Sequence, residues 1–204
     1  MQLAECAVFM VKGRHPMPIP DFNSIGILPP HSDFKPGEPI TPAHLSPYFT
    51  TSLELCQKLG NTPPRRQILR GWLEFRKLLR EIGFTGGFQW IDGSFTEKVE
   101  ATRGLPPGDI DVVSFLPPAS ASIDPAILGV ISDQELTKER YKVHHMIIEL
   151  EWRGELMVES TRFWWGLLSH RKEDGAWKGL LKIDLNTIAD DVAAKNHLDF
   201  LETA

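Results

Sequence analysis

The stretch 90–114, WIDGSFTEKVEATRGLPPGDIDVVS, decides how the chain is read. An apolar strand breaks at Gly93-Ser94, a charged and proline-rich loop follows, and a second strand opens with Asp109-Ile110-Asp111. Glycine admits conformations and close approaches that a Cβ forbids. A Gly-Ser turn at a strand end can therefore offer N–H groups and a hydroxyl to a phosphate. Side chains at i and i+2 of a strand share a face, so Asp109 and Asp111 point the same way. Two such carboxylates can hold Mg²⁺ between themselves and phosphate oxygens. Alone, each pair has an ordinary reading: a strand-end turn, and solvated acids at the start of a strand. Together, across a loop long enough to fold back, they point to a phosphate-and-metal pocket.

Working outward, Thr62-Pro63-Pro64 is a helix start, with a capping hydroxyl and prolines where a missing N–H costs least. The periodicity predicts a helix to about Ile82, with Ile68, Trp72, Phe75, Leu79 and Ile82 as its core stripe. Arg66, Arg70 and Lys77 fall on the opposite face, read first as a solvated surface and second as a nucleic-acid contact. Downstream, residues 119–131 are loop or a short helix, and Ser132 with Glu135 resembles a capping box for a helix to about Arg140. Tyr141–Trp152 alternates as a strand, 159–170 is an aromatic-rich helix, Trp177–Leu185 is extended, and 186–203 closes the chain as an amphipathic helix. That last helix is expected to pack Ile188, Val192 and Leu198.

Upstream, residues 1–16 read as an extension, and from Pro18 to Pro64 the chain is proline-rich. Proline removes donors and restricts φ, so this is an arm of extended and turn structure wrapped on the body. A short helix is expected near Thr50–Leu59, ending at Gly60.

The chain has 204 residues, enough for one domain with a sizeable core. A net charge of −5 argues against a generally basic protein that coats nucleic acid. Cys6 and Cys56 show no metal-ligand spacing and make no disulfide framework, so the reading is a reducing, cytoplasmic setting. No apolar run approaches the roughly 20 residues of a membrane helix.

The run IDGSF…GDIDVV resembles the hallmark of the nucleotidyltransferase superfamily with the DNA polymerase beta-like fold. More narrowly, IPDFNSIGILPPH, WIDGSF, GDIDVV and FWWGLLSHRKEDGAWKGLLKIDL together resemble a bacterial family of small nucleotidyltransferase-like proteins, over most of residues 18–185. The resemblance implies an α/β (α+β) domain at 63–204, with a small mixed sheet and flanking helices, behind an extension and arm at 1–62. It implies that Gly93 and Ser94 hold nucleotide phosphates and that Asp109 and Asp111 bind Mg²⁺, with Mn²⁺ as a substitute. A third carboxylate is expected on the strand VHHMIIEL. The narrower family tends to carry it at the position of His144, where this chain departs, and Glu149 is the acid further along. Arg171 and Lys178 carry donors for phosphate, with salt bridges as the equal alternative; His170 is placed with them. His144 and His145 read first as one packed and one partly exposed histidine, Trp164, Trp165 and Trp177 as core.

The expected activity is Mg²⁺-dependent transfer of a nucleoside monophosphate from an NTP to a hydroxyl on RNA, protein or a small molecule. The alternative is a catalytically weakened nucleotide- or protein-binding member of the fold, for instance a toxin–antitoxin or phage-defence component with a protein partner. A third carboxylate within reach of Asp109 and Asp111 favours the enzyme. A site blocked by histidine favours the binder.

Overall fold

Strand β1 (Tyr48–Phe49) and helix α1 (Ser52–Leu59) come first in a computed structural model that describes residues 18–33, 35–37, 41 and 44–203. The expected extension at 1–16, Cys6 included, lies outside the described residues. After α1 come α2 (Pro63–Glu81), β2 (Phe88–Asp92), a single 3-10 turn (Ser94–Thr96) and α3 (Val99–Arg103). Next are β3 (Ile110–Leu116), α4 (Pro125–Ser132), α5 (Gln134–Tyr141) and β4 (Val143–Glu149). Helix α6 (Gly154–Leu168), β5 (Leu181–Asp184) and α7 (Ile188–Thr203) complete the order.

The strands form one mixed sheet in the order β1-β5-β2-β3-β4. β1 runs parallel to β5, β2 is antiparallel to both β5 and β3, and β3 is parallel to β4. This is the expected α+β class with a small mixed sheet and flanking helices. Alternation along the strands separates two faces. Ile91, Ile110, Val112, Leu116 and Val143 belong to the main core, together with α1, α2 and α7. Trp90, Val113, Phe115, Met146 and Ile148 form a second cluster, covered by Leu168 and the partly buried Trp164 and Trp165 of α6.

The proline-rich arm is not a separate layer. Ile19, Leu28, Tyr48 and Leu55 pack in the main core with residues of α2 and β3, so residue 62 does not divide two cores. Tyr48 and Phe49 pair with Leu181 and Lys182, giving the sheet an edge strand that the weak sequence pattern had hidden. Among the described residues no helix is long and apolar enough to cross a membrane.

Two helices differ from their expected form. Helix α5 is capped by Asp133, whose side chain accepts from the N–H groups of Glu135 and Leu136, rather than by Ser132. Helix α7 buries Asp191, Ala194 and Leu198, while Ile188 and Val192 are 58% and 55% exposed. Its rotation follows the fully buried Arg76 of α2, which requires the Asp191 carboxylate. Of the basic residues read as a solvated face of α2, Lys77 is exposed and pairs with Glu81, whereas Arg70 is half-buried and pairs with Asp199 and Glu202 of α7.

Candidate functional site

Pairing register builds the site. Antiparallel β2 and β3 set Asp92 opposite Asp111, and parallel β3 and β4 set Asp111 beside His144. All three side chains lie on the sheet face of the second cluster, at the end where β2 stops and β3 and β4 begin. A cleft of about 720 Å³ opens there. Gly93, Ser94, Asp109 and Asp111 line its acidic end, and Met146, Trp164 and Leu167 line an apolar wall. Arg103, Lys138, Arg171, Lys172 and Lys178 also line it, so its charge is mixed.

The Gly93-Ser94 turn is where the sequence placed it. Gly93 has φ 83° and ψ −164°, a region essentially restricted to glycine. A Cβ built on Gly93 would lie 2.3 Å from an Asp111 carboxylate oxygen, so the backbone backs directly onto that acid. The turn closes with Thr96 N–H on Gly93 O at 3.3 Å and Glu97 N–H on Ser94 O at 3.2 Å. Arg65, buried at the start of α2, donates to Phe95 O and to the Glu100 carboxylate and so pins the segment that follows.

Beneath the turn is a buried charge cluster that sequence reading did not assemble. Lys178 is 3% exposed and lies 2.8 Å from the Glu97 carboxylate and 3.2 Å from that of Asp92. It also donates to Gly93 O at 3.1 Å. Burial works against its charge, but Asp92 and Glu97 more than offset that and hold its pKa above the ordinary value. Burial pushes the Asp92 carboxyl up to about 7, against the pull of Lys178 and of hydrogen bonds from Gly93 N–H and Thr96. Lys178, expected among the phosphate donors, is therefore already committed: it ties the turn to the sheet from below.

The two expected metal ligands also have partners. Asp109 is 2.8 Å from Lys138 of α5, and Asp111 is 2.9 Å from His144 Nδ1. The second ring nitrogen of His144 lies 2.9 Å from the Gln134 amide oxygen. A carboxylate only accepts, so Nδ1 donates to Asp111. In agreement, the hydrogen bond to Asp111 raises the His144 pKa against the opposing effect of burial. The hydrogen bond and charge of Asp109 likewise raise that of Lys138.

Glu149, the expected third acid, is corrected by register. It pairs with Leu116 at the far end of β3, is exposed, and does not line the cleft. The position beside Asp111 belongs to His144. Arg171 does line the cleft, but its guanidinium donates to Asp174 at 2.9 Å and to Ile25 O at 2.9 Å. Among the tryptophans, Trp165 packs on Trp90 at 6.1 Å, Trp164 faces the cleft, and Trp177 is 48% exposed beside His31. His145 points to the other sheet face, where it donates to Ile131 O and contacts Ser114 Oγ at 2.8 Å.

These contacts bear on a divalent-ion centre. Asp92, Asp109 and Asp111 are each engaged by a lysine or histidine, and among the described residues no group of three or more His, Cys, Asp or Glu side chains is arranged to hold a metal ion. The donor set as folded does not fit such a centre. Asp92 was legible as the residue before the Gly-Ser turn, and Gln134 and Lys138 as an i, i+4 pair on one helix face. What they face is set by strand register and by α5 docking, which local patterns do not encode.

No curated protein and no solved structure matches the chain. A family model described as "Family of unknown function (DUF6932)" matches residues 20–184, which takes in most of the arm, all five strands and every residue of the cleft, and the chain belongs to that family.

Proposed function

We propose that the cleft binds the phosphates of a nucleotide, and that the protein is a nucleotide-binding member of the nucleotidyltransferase type with weakened transfer chemistry. The observation that carries this reading is the contact between turn and acid. Gly93, in a glycine-only conformation, abuts the Asp111 carboxylate, and Ser94 and Asp109 open onto the same cleft. A bound phosphate would meet the Ser94 hydroxyl and turn backbone on one side and the Lys138 and Lys172 cations on another. The apolar wall at Trp164 and Leu167 suits the flat, uncharged part of a nucleotide. Transfer chemistry is weakened because His144 occupies the place beside Asp111 where a third carboxylate would complete an acidic cluster.

A second reading keeps the full activity, Mg²⁺- or Mn²⁺-assisted transfer of NMP from an NTP to a hydroxyl of RNA, protein or a small molecule. One observation favours it. The partners of Asp109 and Asp111 are themselves exposed, Lys138 by 49% and His144 by 38%, and exposed ion pairs are readily exchanged.

Equilibrium binding of each NTP, followed by incubation of labelled NTPs with total RNA and protein, separates the two. Saturable NTP binding without label on any acceptor supports the binder. Label that depends on Asp111 and appears on one acceptor class supports the enzyme. No binding of any NTP refutes both.

A further inference from the structure

The contacts that fail to fit a metal centre are themselves an organised device. Helix α5 presents Gln134 and Lys138 one turn apart. Lys138 reaches Asp109 at 2.8 Å, while Gln134 holds the far nitrogen of His144 at 2.9 Å. The helix is fixed at its start by Asp133 and ends at Lys142, whose φ of 58° turns the chain into β4. Two residues later His144 stands beside Asp111, by the parallel register that also pairs Ile110 with Val143. One helix and the strand after it therefore deliver an ammonium and an imidazole N–H to the two carboxylates. Each donor lies within hydrogen-bond distance of its acid. A divalent ion placed between Asp109 and Asp111 would have to displace both side chains, or sit against the Lys138 ammonium at close range.

We infer that this cleft takes nucleotide phosphates without a divalent ion, because Lys138 and His144 already occupy the two carboxylates that would bind one. The inference rests on the nucleotide-binding reading above and specifies its cofactor requirement. An incoming triphosphate draws on the Lys138 ammonium and on Lys172, which is exposed and also lines the cleft.

The experiment is calorimetric titration of the full chain with ATP, GTP, CTP and UTP, in EDTA and in excess MgCl₂. The expected result is one Kd in both buffers, within about threefold, for whichever nucleotide binds. Binding that weakens by more than about threefold in EDTA overturns the inference and leaves the nucleotide-binding reading standing. No binding in either buffer overturns both. A second measurement does not depend on nucleotide: Mn²⁺ binding followed by electron paramagnetic resonance. The wild-type chain is expected to leave Mn²⁺ free, and His144→Asp, which removes the imidazole and adds a carboxylate beside Asp111, is expected to bind it. Mn²⁺ bound by the wild type, or a folded His144→Asp chain that gains no Mn²⁺ binding, counts against the assignment. Thermal unfolding of the variant confirms that it is folded before either result is read.

Discussion

Two clusters of charge flank the same sheet, and they are built differently. In the main core, Arg76 is fully buried, and each guanidinium nitrogen has a partner. It meets Asp191 at 3.0 Å, Gln89 at 3.0 Å, Asp184 O at 2.8 Å and Thr187 at 2.9 Å. Gln89 continues to Ser114 and His145, which ends on Ile131 O, so a polar chain crosses the core from α7 to α4. On the other face, Asp109–Lys138 and Asp111–His144 stand at the mouth of a cleft with solvent around them. In the first cluster the Arg76 guanidinium is fully paired and sealed from solvent. The second has compensated charges that a ligand can address. Full satisfaction marks a structural network, while partial exposure in a concave site marks a binding one.

That contrast can be broken by experiment, starting where the effect should be largest. Asp191→Ala leaves Arg76 charged, buried and without its carboxylate. Loss of an ion-pair partner of this kind costs about 3–5 kcal/mol, which urea unfolding would register as a large fall in midpoint. A loss below about 1 kcal/mol would mean the core network is no more demanding than a surface pair.

The same network predicts a pH dependence. Burial lowers the His145 pKa from 6.5 to about 4, so the folded protein holds this ring neutral. Between those values the unfolded chain binds a proton that the folded chain does not. Stability is therefore complete above pH 6.5 and is lost as pH falls toward 4, by roughly 3 kcal/mol from this group. Unfolding curves across that window should show the slope in the wild type and a shallower one in His145→Gln.

At the cleft, Gly93→Ala puts a Cβ 2.3 Å from Asp111 and a side chain on a glycine-only conformation. About 1–3 kcal/mol of stability should be lost, with a greater proportional loss of NTP affinity, since the turn and the acid move together. Unchanged NTP affinity in a strained but folded variant would take the turn out of the site.

The smallest structural effect belongs to Lys138→Ala. Its ion pair is half exposed, so stability should change by less than about 1 kcal/mol. NTP affinity in EDTA should nonetheless fall. An affinity that follows stability, both barely altered, would return the pair to ordinary surface chemistry.

Legibility from sequence followed how local each feature is. Helix α2, its proline start and its stripe of Ile68, Trp72, Phe75 and Leu79 needed only periodicity, and all four residues are buried. The turn at Gly93 needed only its dipeptide and the strand before it. Glu149 failed on two counts: alternation along β4 already turns it to the face opposite His144, and pairing with Leu116 puts it at the far end of the sheet, which no local pattern states. Lys178 was placed at the site but not in its role, because its partners Asp92 and Glu97 are more than eighty residues away in the chain.

By itself, then, the sequence determined the α+β class, the long helix and the juxtaposition of a glycine turn with two aspartates. These depend on periods of two and 3.6 residues and on the steric freedom of one glycine. Only the tertiary structure decided what the aspartates face. Strand register set His144 beside Asp111, and the docking of α5 set Lys138 against Asp109, because contacts between distant segments depend on packing that no local pattern specifies.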